Sequence, residues 1–163
     1  MVRNGKIMMY YGDGRGKTAL AIGQGIRALG EGFSVVMIQF LDYYESKEFV
    51  PLKSLEPNFR VFKFQKGKEC PENAAEMKSE VSLAMNFSKK ILETGECEVV
   101  ILDGILDAVA KEALSAEEVA AAMEKRSYYT DIILTGTQDC PALRQYCDYV
   151  CHLQTEQETK GEA

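Results

Sequence analysis

Histidine occurs once in this chain of 163 residues, and no C-x-x-C pair accompanies it. Those shortages leave the usual structural zinc arrangements without their ligands, although Cys147, Cys151 and His152, with Cys140 nearby, lie close in sequence. The five cysteines are an odd number, so no disulfide framework is expected and the thiols read as free groups of a reducing compartment. Long apolar runs are missing too. None approaches the about 18 residues that cross a bilayer, which excludes a helical membrane span. Positive charge is scarce, with 19 Lys and Arg against 25 Asp and Glu and a formal charge of −6. Non-specific nucleic-acid binding needs clustered cations and is therefore not expected. Arg3 and Lys6 precede an apolar run, residues 7–11, that is too short for the core of a secretory signal, so a cytoplasmic protein is expected. Internal repeats and low-complexity stretches are also lacking.

What is present is the composition of an ordinary globular domain, 46% apolar and 27% charged, in a length that suits one core. A single domain over residues 1–153 with a short polar tail at 154–163 is expected. Six short runs with many β-branched and aromatic residues, at 7–11, 34–40, 59–64, 99–102, 131–135 and 149–153, read as strands. Several are apolar without alternation, as in a parallel sheet covered on both faces, and the second and fourth should be the most buried. Helical patterns lie between them. One spans 17–29 and stops at Gly30; another spans 72–94 and stops at Gly95, with Met77, Val81, Ala84, Ser88 and Ile91 along one face. Ser115 and Glu118 predict a capping box, and Pro141 suits the first turn of a short helix through Tyr146. Strands alternating with helices give an α/β fold, a three-layer sandwich with a mainly parallel sheet.

The segment Gly12-Asp13-Gly14-Arg15-Gly16-Lys17-Thr18 sits between the first strand and the first helix, where a phosphate-binding loop belongs. Its glycines allow positive φ and bring N–H groups toward an anion, and the helix behind it turns its positive end to the same point. Lys17 supplies a cation for terminal phosphates and Thr18 a hydroxyl for Mg²⁺. The loop is one residue tighter than G-x-x-x-x-G-K-T, because Tyr11 holds the position of the first glycine. A βα turn without a ligand is the plain alternative. Val99-Val100-Ile101-Leu102-Asp103 is an apolar strand ending in an acid, the Walker B pattern, which sets a carboxylate beside Mg²⁺ across from Thr18; for Asp103 the alternative is a helix cap. Both elements make the expected sandwich P-loop NTPase-like. Thr135-Gly136-Thr137 ends the next strand toward the same crevice. Gly104 stands where a water-positioning residue would be sought, and neither Asp107 nor Glu112 is clearly aimed at phosphate, so vigorous ATP hydrolysis is not expected. Residues 41–55, with Tyr43, Tyr44, Glu45, Lys47 and Phe49, overhang the carboxyl end of the sheet as a lid or as a mobile surface loop.

The tight loop, Ala28-Leu29-Gly30-Glu31-Gly32 and Val35-Val36-Met37-Ile38-Gln39-Phe40 together resemble the ATP:corrinoid adenosyltransferases of vitamin B12 synthesis and salvage. Val100-Ile101-Leu102-Asp103 and Ile133-Leu134-Thr135-Gly136 are similar to that family's later strands, so the likeness covers residues 5–153. The resemblance implies a P-loop fold, often dimeric, that binds Mg·ATP with the ribose C5′ exposed. A Co(I) corrinoid attacks that carbon and triphosphate leaves. The resemblance also implies that Gly12, Asp13, Gly14, Arg15, Gly16, Lys17 and Thr18 hold ATP, that Lys17 stabilises the departing triphosphate, and that Thr18 and Asp103 hold Mg²⁺. Arg27 lies where the family has an arginine and stands as a nucleotide contact or a surface helix residue. The family's Glu after the Walker B Asp is Gly104 here, and its Arg after the Thr-Gly is Thr137. Its Gly-x-G-F-x-W segment, whose aromatics crowd the corrinoid's lower face, is Gly67-Lys68-Glu69-Cys70-Pro71. Tyr43, Tyr44 and Phe49 are the substitutes expected to contact the corrinoid. Two readings follow: an active adenosyltransferase, or an ATP-binding relative that transfers no adenosyl group and serves as a nucleotide-responsive binding module. Small-molecule substrates and a homodimer are expected, with no nucleic-acid or membrane partner.

Overall fold

Val, Ile, Leu and Met dominate the strand cores, and each strand sends alternate residues to opposite faces of one sheet. The computed structural model describes residues 3–43 and 47–159. In chain order its elements are β1 (Ile7–Gly12), α1 (Gly16–Gly30), β2 (Val35–Gln39), α2 (Phe49–Leu52), a 3₁₀ turn at Lys53–Leu55, β3 (Phe59–Lys63), α3 (Ala74–Thr94), β4 (Val99–Asp103), α4 (Ile105–Ala110), α5 (Ala116–Glu124), β5 (Asp131–Gly136), α6 (Pro141–Arg144) and β6 (Tyr149–Leu153). The strands form one sheet in the order β3-β2-β4-β5-β1-β6. Every pairing is parallel, so the sheet expected to be mainly parallel is wholly so.

Every residue of β2 and β4 is buried, as their unbroken apolar runs predict. On one face Val36, Ile38, Val100, Leu102, Ile132 and Leu134 pack with residues of α3 and α5. On the other, Val35, Met37, Val99, Ile101 and Ile133 pack with Ala21 and Ala28 of α1 and Leu52 of α2. Two apolar cores therefore clamp the sheet, and the carboxyl ends of its strands are fixed relative to one another.

Element ends differ from the sequence reading where side chains intervene. α3 starts at Ala74 because the Asn73 side chain caps it, accepting from the Ala75 N–H at 2.8 Å. Val81, Ala84, Ser88 and Ile91 are buried along its inner face, and Met77 is half-buried. Ser115 caps α5 by accepting from the Glu118 N–H at 3.1 Å. The Glu118 carboxylate turns instead to Lys89 on α3, at 2.7 Å, so only half of the expected capping box forms. α6 ends at Arg144 rather than Tyr146, since the Tyr146 and Cys147 N–H groups bond three residues back in tightened turns. Strand β4 runs one residue beyond its expected end, to Asp103, because the Phe40 N–H donates to the Asp103 carbonyl at 2.7 Å. Among the described residues no helix is long and apolar enough to cross a membrane.

Candidate active site

β5 stands between β1 and β4, so the loop after β1, Thr135 at the end of β5 and Asp103 at the end of β4 meet at one edge of the sheet. The loop begins at Gly12, whose φ of 145° and close approach to β6 admit no side chain: a Cβ there would lie 1.9 Å from the Leu153 carbonyl oxygen. At the start of α1 the Arg15 side chain makes no capping hydrogen bond, and the first turn holds no acid. Its leading N–H groups and positive dipole end are thus left for an anion. Lys17 Nζ donates to the Gly14 carbonyl at 2.6 Å, which holds the ammonium over the loop. Gly14, Arg15, Lys17 and Thr18 line a cavity of about 170 Å³, with Asp42, Asp103 and Thr135 opposite. Gly12, Asp13 and Gly16 belong to the same loop without lining that cavity.

Asp103 is 3% exposed and is surrounded by donors. Thr18 Oγ1 and Thr135 Oγ1 donate to its Oδ1 at 3.0 and 2.7 Å, and Gln39 Nε2 donates to its Oδ2 at 3.3 Å. Burial pushes the Asp103 carboxyl upward; the bonds from Thr135, Thr18 and Gln39 oppose this, and the charge of Asp42 adds to it. The Thr135 hydroxyl also accepts from the Gly104 N–H at 2.8 Å. Asp103 is therefore bound through side chains of three elements and does not cap α4, whose N-cap, Gly104, makes no side-chain bond. A buried carboxylate beside a threonine hydroxyl is a hard-oxygen set that fits Mg²⁺, an ion that completes its shell with water and substrate phosphate. The residues that would hold it are Thr18 and Asp103.

Gly104 has φ 80°, and a Cβ on it would stand 2.3 Å from the Phe40 carbonyl oxygen. A side chain at this position would force β2 and β4 apart. Asp107 lines the cavity, and its Oδ1 accepts from the Thr137 N–H at 2.8 Å; Glu112 lies beyond α4 at φ 58°. Gln39 and Asp42 are site residues that the sequence reading did not assign. The signal for them is register: Gln39 pairs with Asp103 across β2 and β4, so the residues that follow it must pass beside the acid.

Other expected contacts lie elsewhere. Phe49 packs against the core on the face of the sheet that α1 covers, with Lys63 Nζ 4.9 Å from its ring centroid, and it does not line the loop cavity. The Tyr43 hydroxyl donates to Glu80, a buried residue of α3 that lines a separate cavity of about 580 Å³ with Lys66, Gly67, Glu69 and Pro71. Burial, followed by Glu80 and then Cys70, pushes the Tyr43 hydroxyl upward. Tyr44 lies outside the described residues. Arg27, in the last turn of α1, lines a cleft with Arg3, Gln24 and Asp131 at the opposite end of the strands, so the structure does not bring it to the loop. Arg15 reaches Glu48 of the overhanging segment at 3.0 Å. Tyr11 stacks on His152, with centroids 4.6 Å apart and planes 8° from parallel. Cys140 is buried and Cys151 exposed, and among the described residues no group of three His, Cys, Asp or Glu side chains could hold a metal.

The sequence pattern of the ATP:corrinoid adenosyltransferase family BtuR/CobO/CobP matches residues 3–160. The chain is 30% identical over 135 residues to a corrinoid adenosyltransferase of Escherichia coli strain K12, covering 81% of this chain and 67% of that protein. It is 29% identical over 133 residues to the corrinoid adenosyltransferase CobA of Salmonella typhimurium strain LT2, with the same coverage of 81% and 67%. With the tight glycine loop, the buried acid and the parallel sheet that joins them, this match over nearly the whole chain makes it a member of the ATP:corrinoid adenosyltransferase family.

Proposed function

We propose that this protein transfers the 5′-deoxyadenosyl group of Mg·ATP to a Co(I) corrinoid and releases triphosphate. The observation that carries the reading is the pairing of a one-residue-short glycine loop with a hydroxyl and a buried carboxylate, Thr18 and Asp103, joined at 3.0 Å. The N–H groups at the start of α1 and the Lys17 ammonium bind the polyphosphate and face the negative charge that grows on it as the C5′–O bond breaks. Mg²⁺, when bound, neutralises part of that charge. The electron pair of the corrinoid cobalt forms the Co–C bond, the C5′–O pair leaves with triphosphate, and no proton moves. No water needs to be activated, which suits a glycine at position 104. The protein's contribution is orientation and fixed charge.

Gly67, Glu69 and Pro71, from a stretch without an aromatic residue, border the cavity of about 580 Å³ beside α3 and support placing the corrinoid on that side. Tyr43, turned toward Glu80, is the expected contact that lies on that side. The second reading, an ATP-binding module without adenosyl transfer, is favoured by that missing aromatic pair. Incubating the protein with Mg·ATP and chemically reduced cobalamin under anaerobic conditions separates the two. Formation of adenosylcobalamin supports the transferase, and ATP binding with no adenosylated product contradicts it. We place the protein in the cytoplasm as a homodimer.

A further inference from the structure

We propose that Asp42 is the second carboxylate of the Mg²⁺ site, brought there by the close approach of Phe40 that Gly104 permits. The inference rests on the Mg·ATP reading given above. Because position 104 carries no side chain, the Phe40 carbonyl can sit where a Cβ would be, 2.3 Å from that point. The chain after β2 is thereby drawn against the end of β4. It then turns sharply at Leu41, whose φ of 52° is a left-handed conformation that a leucine adopts only at a cost. That turn delivers Asp42 to the cavity lined by Lys17, Thr18 and Asp103.

Gln39 then ties the two acids together. Its Nε2 donates to Asp42 Oδ2 at 2.8 Å and to Asp103 Oδ2 at 3.3 Å, so both carboxylates converge on one amide nitrogen. Gln65 fixes the backbone behind Asp42 by donating to its carbonyl. Two carboxylates held on one amide nitrogen repel each other, and a cation between them relieves that repulsion. The same amide supplies an independent sign of a ligand: Gln39 is 1% exposed, yet its Oε1 is buried with no hydrogen-bond partner among the described residues. An unpaired buried acceptor is costly, and a water of a hydrated Mg²⁺ beside these acids would satisfy it. Mg²⁺ characteristically keeps several waters and takes one or two carboxylates together with substrate phosphate. Asp103 and Asp42 supply the carboxylates, Thr18 the hydroxyl, and Gln39 holds the pair in register.

Titrating ATP into the full chain by calorimetry at a series of Mg²⁺ concentrations tests this, with Mn²⁺ binding read by electron paramagnetic resonance in parallel. Asp42→Asn should raise the Mg²⁺ concentration needed for half-maximal ATP binding by about tenfold, the usual scale for a supporting metal contact. ATP affinity at saturating Mg²⁺ should be unchanged, and Asp42→Glu should recover most of the loss. Bound Mn²⁺ should fall in step in the Asn variant. If the wild-type protein needs Mg²⁺ for ATP and Asp42→Asn shows the same dependence, the role of Asp42 is overturned while the Mg·ATP reading stands. Equal weakening at every Mg²⁺ concentration would make Asp42 a loop-shaping residue and would likewise overturn it. Wild-type ATP binding without any Mg²⁺ dependence would remove the parent reading and this inference together.

Discussion

At the scale of single residues, the proposed activity rests on Lys17, Asp103 and Gly104. Lys17→Ala removes a charge-assisted contact and should cost about 1.5–3 kcal/mol of ATP binding while leaving the fold intact, since among the described residues its partner is the Gly14 carbonyl alone. Calorimetry with an unchanged ATP affinity would refute the phosphate-loop role. Gly104→Glu would set a second carboxylate directly after Asp103, yet its Cβ would meet the Phe40 carbonyl at 2.3 Å in a positive-φ conformation. The variant should lose about 1–3 kcal/mol of stability, read as a lower urea midpoint. A midpoint equal to wild type would show that the two strand ends part easily. Lys17, Thr18 and Asp103 are legible from the amino-acid order because loop, hydroxyl and acid are each marked by a local pattern. Asp42 is not, because its meaning depends on the register that places Gln39 against Asp103. The place of Arg27 follows from helix length: ten residues along α1 from Lys17 is about 15 Å of helix, and that distance carries it to the end of the sheet away from the loop, as its surface alternative has it.

At the scale of elements, β4 is tied at both ends by side chains of its neighbours. At its start, Glu98 accepts from the Ser34 N–H and Oγ at 2.8 and 2.9 Å. Burial pushes the Glu98 carboxyl upward, but these bonds, with the nearby charge of Arg3, outweigh it and leave the group below its ordinary range. A carboxylate lowered in the folded state stabilises fully above its unfolded pKa, and that contribution is lost as pH falls through the folded value. Urea denaturation should therefore show wild type losing stability more steeply on acidification than Glu98→Gln; parallel slopes would contradict the anchoring role. Cys97 lies on the same approach to β4, and burial, then the charge of Glu96, pushes its thiol up to about 12. Iodoacetamide applied to the native protein should label the exposed Cys151 and spare Cys97, which mass mapping can check. Rapid labelling of Cys97 would mean that this edge opens. The six strands and their burial are readable from apolar runs, whereas the short helices α2 and α4 leave too few turns for a periodic signal. The inward packing of Phe49 is invisible for that reason, since a four-residue helix does not announce which face it turns to the core.

At the scale of the whole molecule, two apolar cores hold a parallel sheet whose carboxyl edge carries a phosphate loop at β1 and an acid at β4, with β5 between them. The layer order follows from the alternation of strands and helices. The order of strands within the sheet does not, because sequence marks each strand without marking its neighbour. This division also explains why the proposed nucleotide end is easier to read than the proposed corrinoid end: the first is a contiguous motif, and the cavity offered for the second is lined by a loop and α3, which meet only in the fold. The most direct test is an anaerobic reaction of the protein with Mg·ATP and reduced cobalamin, following loss of Co(I) absorbance and release of triphosphate in one sample. Adenosyl transfer predicts that the two proceed in equal amounts and that neither occurs when ATP is omitted; ATP consumption that yields ADP or pyrophosphate, or Co(I) that persists beside bound ATP, would contradict it.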